Sequence, residues 1–187
     1  ANAEPVLQPR QPAPADYYQN NLQQAFSFVL ERYADMLSAD DVDRLQQFLR
    51  ASADAQRLLA RLLTRAGPYF LRSTLNYAEV SSPDDAVAEL HQRGLISFQS
   101  GAADRLIKLY TKNALCECFS LAATIRKLTK QQIIEHLLGR YTDRQLAQRL
   151  GAVQEWVRLR HLSLWRLSRL LFFGSASQDW STFVRKD

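Results

Sequence analysis

The sequence predicts a mainly α-helical protein, a helical bundle with a winged-helix-like unit followed by a small helix-turn-helix module. Three observations carry this. The 187 residues hold only six glycines and six prolines, and Pro5, Pro9, Pro12 and Pro14 all fall in the first 14 residues. Leu, Ala, Gln and Arg, residues that favour helix, dominate the rest of the chain. Apolar side chains recur there at three- and four-residue steps, the helical period.

Residues 1–15 are rich in Pro, Gln and Ala and are expected to be a disordered Pro-rich tail. Residues 16–100 form the expected helical and winged-helix-like N-terminal domain. Asp16 is placed to cap a first helix whose buried stripe is Tyr18, Leu22, Phe26, Val29, Leu30, Tyr33 and Leu37. Ser38-Ala-Asp-Asp41 starts a second helix, with Leu45, Phe48 and Leu49 inward. Ser52 or Asp54 caps a third, carrying Leu58, Leu59, Leu62 and Leu63. Gly67-Pro68 ends it, the glycine in the left-handed position. Tyr69-Phe70-Leu71 reads as a strand, and Ser73–Val80 as a short helix or turn. Ser82-Pro83-Asp84-Asp85 is a strong helix start, with Ala86, Val87 and Leu90 buried and Gly94 as the stop. Leu95-Ile96-Ser97-Phe98 is a second strand.

Residues 99–104 are small and polar, a linker into residues 101–150. Leu106, Ile107 and Tyr110 form an apolar face. Thr111 caps a helix with Ala114, Leu115, Cys118 and Phe119, and an irregular stretch covers 120–129. Thr129 caps the next helix, with Ile133, Ile134, Leu137 and Leu138 inward and Gly139 at its end. Thr142 starts another through Leu146 and Leu150. Residues 151–187 read as a connector and the start of a further domain. Within them Trp156–Arg160 alternates and is expected to be extended. Ser163 caps a last helix with Leu164, Leu167, Leu170 and Leu171, ended by Gly174.

The net charge of +5 is unevenly spread. Residues 1–103 carry 9 basic and 12 acidic side chains, and residues 104–187 carry 15 and 7. The second half therefore suits an anionic partner. No stretch approaches the ~18 uninterrupted apolar residues of a membrane span, so no membrane association is expected. Cys116 and Cys118 cannot make a disulfide framework, which fits a reducing compartment. The N-terminus shows no signal-peptide pattern. The chain opens without Met and ends on Arg185-Lys186-Asp187, as a piece of a longer protein would.

No metal site or catalytic set can be assembled. The two cysteines face different ways on a helix, and His136 and His161 complete no zinc pattern. Pro83-Asp84 has the look of a nuclease dipeptide, but no Glu-x-Lys or Gln-x-Lys comes after it, and a helix first turn suffices to explain Asp84.

The informative stretch is Leu106–Leu138. Two short helices are joined by a turn carrying Arg126-Lys127, and the second helix begins at Thr129-Lys130. A helix N-terminus, hydroxyls and several cations thus lie side by side, the ingredients of a phosphate site. This resembles the SAP domain, a small DNA-backbone-binding module, although Lys127-Leu128 stand where that pattern has a glycine.

The order of motifs extends the resemblance over residues ~16–184. Tyr17-Tyr18-x-x-Asn-Leu22-x-x-x-Phe26 opens it. Ala51-Ser-Ala-Asp-Ala-Gln-Arg57-Leu58-x-x-Arg61-Leu62-x-x-Arg65 continues it, and Leu170-Leu-Phe-Phe-Gly174 through Trp180-Ser-x-Phe183-Val184 closes it. Together they resemble the N-terminal part of the Fanconi-associated nuclease family in a compact bacterial form. The resemblance implies a winged-helix-like and SAP region ahead of helical-repeat and nuclease domains of the same protein. It implies a cytoplasmic enzyme, at the nucleoid when bound to DNA. The family cuts branched or 5′-flap double-stranded DNA, digests 5′ to 3′ with Mg²⁺ or Mn²⁺, and serves interstrand cross-link repair. Its cofactor and catalytic residues would lie outside this segment, which needs no cofactor of its own.

The DNA-binding candidates are Thr111, Lys112, Arg126, Lys127, Thr129, Lys130, Arg158 and Arg160, meeting phosphates rather than base edges. If the N-terminal half bound DNA as strongly as the basic half, the surface would instead be the winged-helix-like unit, through a second cluster such as Arg57, Arg61 and Arg65 on the third helix. The alternative reading, a helical or winged-helix protein-interaction module, draws on the acidic first half.

Overall fold

The computed structural model describes the backbone of residues 16–184 and the side chains of residues 16–175. The expected tail over residues 1–15 lies outside the described residues. Five hydroxyl residues punctuate the chain, and each does the same work. Ser38, Ser52, Thr111, Thr129 and Thr142 precede helices, and each side-chain oxygen accepts the backbone N–H three residues on, at 3.1–3.2 Å. Each such cap contributes about 1 kcal/mol.

The elements run on from these starts. Helices α1 (Tyr17–Tyr33), α2 (Ala39–Arg50) and α3 (Ala53–Leu63) lead to strand β1 (Tyr69–Leu71). Helix α4 (Pro83–Gln92) and strand β2 (Ile96–Ser97) come next. Then come α5 (Ala103–Leu106), α6 (Lys112–Cys118), α7 (Ala123–Arg126), α8 (Lys130–Arg140) and α9 (Asp143–Val153). Strand β3 (Trp156–Leu159) and helix α10 (Leu162–Val184) complete the described chain. The mainly helical architecture is the one the sequence predicts. None of the described helices is long and apolar enough to cross a membrane.

Local expectations differ at several points. Asp16 makes no side-chain cap and instead accepts from the Asn20 amide. Ser52, not Asp54, caps α3; the Asp54 carboxylate accepts the N–H groups of Ser81 and Ser82 just ahead of α4. Gly67 is not left-handed, and its bond to Pro68 is cis. Gly94 does take positive φ, at 74°, and turns the chain from α4 into β2. Gly139 and Gly174 lie inside helices, because a glycine ends a helix only where the chain needs a left-handed residue. Ser163 lies within α10, which begins at Leu162. The linker expected over 99–104 already enters α5 at Ala103.

The sheet order is β1-β3-β2, with both neighbours antiparallel to β3. Phe70 faces Val157, and Ile96 faces Leu159. The two strands of the N-terminal unit therefore do not pair with each other. They are joined by a strand that arrives after the whole α5–α9 module, so that module is an insertion between β2 and β3.

Successive side chains of β3 point to opposite faces. Val157 and Leu159 enter a first core with Phe26, Phe48, Leu58, Phe70 and Leu90. Trp156 enters a second with Tyr69, Tyr110, Leu115, Ile133 and Leu150. The segment that sequence patterning marks as a connector from residue 151 onward thus contributes to both cores. Helix α10 folds back on α1, where Trp165, fully buried, stacks on Phe26 at 5.2 Å between ring centroids.

Candidate nucleic-acid interface

Helices α6 and α8 pack on the second core through Leu115, Cys116, Ile133, Ile134 and Leu137, and this fixes the turn between them. The backbone leaves α6 through a left-handed Ser120, with φ at 47°, and then forms the short α7. Lys127 is right-handed, with φ at −78°. No glycine is needed at the 127–128 turn, which accounts for its departure from the SAP pattern.

Thr129 and Gln132 form a reciprocal capping box. The Thr129 oxygen accepts the Gln132 N–H, and the Gln132 amide oxygen accepts the Thr129 N–H at 3.0 Å. The N–H groups of Lys130 and Gln131 then remain outward at the positive end of an eleven-residue helix. Thr111 is likewise a cap acceptor. Both threonines are exposed and keep a hydroxyl proton to donate.

The cations divide by how engaged they are. Lys127 is exposed and Lys112 half-exposed, and neither ammonium meets a carboxylate among the described residues. Lys130 donates to the Lys108 carbonyl at 2.9 Å, which ties α8 to the turn before α6 and leaves further N–H donors. Arg126 is the most committed. It donates to the Leu121 carbonyl at 2.8 Å and pairs with Glu117 at 3.0 Å. Lys112, Arg126, Lys127 and Lys130 thus belong to one module.

Arg158 and Arg160 sit elsewhere, on and just after the central strand. Arg160 donates to the Gly94 carbonyl at 3.2 Å. The Nε of Arg158 is buried with no partner among the described residues.

The second surface on α3 is largely consumed by the fold. Arg57 donates to Gln19, Arg61 pairs with Glu79 and lies over the Tyr18 and Tyr77 rings, and Arg65 lies over Phe70. The bonded Arg61 guanidinium holds the Glu79 carboxyl below its usual range. Asp84, the acid of the nuclease-like dipeptide, pairs with Arg72 in the first turn of α4. Among the described residues no three His, Cys, Asp or Glu side chains gather to hold a metal ion.

Sequence reasoning missed a groove of about 1110 Å³ between the two units. One wall is α4 with Phe98, the other is α9, and Trp156 and Val157 lie between them. Nothing in the sequence signals it: Phe98 reads there as the last residue of a strand, and only the fold leaves it beyond β2, 48% exposed and stacked on His91 at 4.4 Å.

The fold has counterparts in known proteins. Residues 16–97, from α1 to β2, match the family model described as "FAN1, HTH domain". A Fanconi-associated nuclease 1 homolog of Pseudomonas aeruginosa is 32% identical over 186 residues, covering 98% of this chain. A homolog of the same description from Arabidopsis thaliana is 29% identical, covering 91%. The chain spans 33% of the first relative and 21% of the second. Among solved structures, that of paFAN1 bound to 2nt 5′-flap DNA with gap aligns with a TM-score of 0.71 at 28% identity. The alignment covers 94% of this chain and 33% of that one. Another, of paFAN1 bound to 1nt 5′-flap DNA with gap, aligns at 0.60 and 26% identity, covering 91% and 32%.

Proposed function

Because this chain belongs to the Fanconi-associated nuclease family and corresponds to its N-terminal part, we propose that it is the non-catalytic, DNA-gripping portion of a structure-selective DNA-repair nuclease. The whole protein would cut near 5′ flaps and digest 5′ to 3′ in the service of cross-link repair. Its divalent metal and catalytic carboxylates would lie on helical-repeat and nuclease domains beyond this segment. The described residues offer no ligand cluster that fits such a metal.

One observation of the site carries the reading. Lys112, Lys127 and Lys130 belong to one small module whose α8 N-terminus keeps two backbone N–H groups outward. This SAP-like arrangement suits phosphates of the duplex beside a flap. Such contacts fix position and carry no base preference. The winged-helix-like unit acts as its support.

A gel shift tests this, with a 5′-flap substrate and a blunt duplex of the same stem against an unstructured competitor. Retention of both DNAs at low salt, falling steeply with added salt, is the expected result. Absence of binding to either would leave the protein-interaction reading in its place.

A further inference from the structure

The groove between the units is built unlike the basic turn. Its carboxylates, Asp84, Asp143 and Glu155, outnumber its guanidiniums, Arg72 and Arg144, and Arg72 is already paired with Asp84. A phosphate gains little inside it. The uncharged groups are another matter. Phe98 backs one face onto His91 with an interplanar angle of 25° while remaining 48% exposed. Side-chain amides of Gln92, Gln99 and Gln148 line the same space. Each amide offers both a donor and an acceptor. Trp156, 7% exposed, brings its Nε1 beside Gly151 on the lining, and that N–H meets no acceptor among the described residues.

We propose that this groove receives an unpaired nucleobase of single-stranded DNA, stacked on the open face of Phe98. A base is flat, uncharged and edged with mixed donors and acceptors, which matches a supported aromatic ring, three amides and a waiting indole N–H. The strand's phosphates would stay at the rim, outside the carboxylates. Stacking on aromatic side chains is tolerant of sequence, as a flap binder requires. The inference rests on the DNA-binding reading above and deepens it. The cations of the SAP-like module would hold the duplex, and the groove would hold the unpaired strand.

The experiment uses a 5′-flap DNA carrying 2-aminopurine in the flap, the same labelled strand alone, and a blunt duplex, each titrated with the whole chain. Binding is expected to quench the fluorophore. Phe98→Leu is expected to abolish the quench and weaken flap binding about tenfold, with the blunt duplex unaffected. Phe98→Trp should restore both. Because Phe98 is half-exposed, the variants should melt like the parent.

Full quenching by Phe98→Leu, or an equal loss on flap and blunt duplex, overturns the proposal. Preferential capture of a short tryptophan-bearing peptide over the labelled strand also overturns it and assigns the groove to a protein. If the labelled strand is quenched through Phe98 while the blunt duplex is not held, the groove stands and the duplex grip falls.

Discussion

Replacing Trp165 with alanine should remove a large part of the protein's stability, although it lies in the segment that sequence patterning treats as a connector. Trp165 is fully buried, stacks on Phe26, and donates its indole N–H to the Arg160 carbonyl at 2.7 Å. Truncating a buried tryptophan costs about 3–5 kcal/mol through forfeited transfer energy and the cavity left behind. Typical domains hold about 5–15 kcal/mol in total, so about 4 kcal/mol is a quarter or more of the reserve. Leu170 on the same helix is 68% exposed, and Leu170→Ala should change stability by less than about 0.5 kcal/mol. Urea unfolding followed by far-UV circular dichroism does not depend on the deleted fluorophore. With a slope of about 2 kcal/mol per molar, the Trp165→Ala midpoint should fall by about 2 M while that of Leu170→Ala stays within about 0.3 M. Equal, small shifts in both variants would refute the reasoning, because α10 would then not be part of the core.

Combined Lys127→Ala and Lys130→Ala should weaken duplex binding about equally on different sequences. The salt slope should drop by ~0.9 for each phosphate no longer neutralised, from about −3.6 if the parent neutralises four; an unchanged slope removes the turn from the interface. A fragment of residues 16–100 should lack a cooperative urea transition and residues 16–184 should show one, since only the longer piece includes Val157, Leu159 and Trp165; sharp unfolding of the short piece would contradict the shared sheet. Burial holds the His161 imidazole below its ordinary value of 6.5, while its ring nitrogen contacts the Gly94 carbonyl at 3.0 Å. On acidification the folded state therefore takes up its proton later than the unfolded chain does. The stability linked to neutral His161 is complete above the ordinary value and is lost as pH falls from there through the folded value. Melts from pH 7.5 to 5 should show that loss in the parent and a weaker one in His161→Gln.

The capped helices were legible because their signals are local. Ser38, Thr111, Thr129 and Thr142 sit one residue before their helices, and an oxygen at that place has one obvious partner. Gly94 was legible for the same reason. The sheet was not. Trp156–Leu159 reads as extended from its alternation, but four residues do not say which strands they will join, and the partners lie about 60 and 90 residues earlier. Gly139 and Gly174 misled because a glycine stops a helix only where the chain turns left-handed, and at these two exposed positions it stays helical. Lys112, Arg126, Lys127 and Lys130 read as a cluster in the sequence. Their ties to Glu117, Leu121 and Lys108 depend on tertiary placement, as does the groove, whose walls come from stretches more than 40 residues apart.

The late arrival of β3 also sets a clock. At ribosomal speeds of about 5–20 residues per second, β1 waits on the order of ten seconds for its partner. Throughout that interval Phe70 and Ile96 lack Val157 and Leu159, and the first core stays open on one side. The α5–α9 module is by then wholly synthesised and free to close around Tyr110 and Leu115. The nascent chain thus gathers most of its middle before its beginning, with Trp156 still to close the second core. Its exposed apolar edge is the stretch a chaperone would meet, and a ribosome stalled before Trp156 would release a chain whose first core lacks Val157 and Leu159 and whose second lacks Trp156.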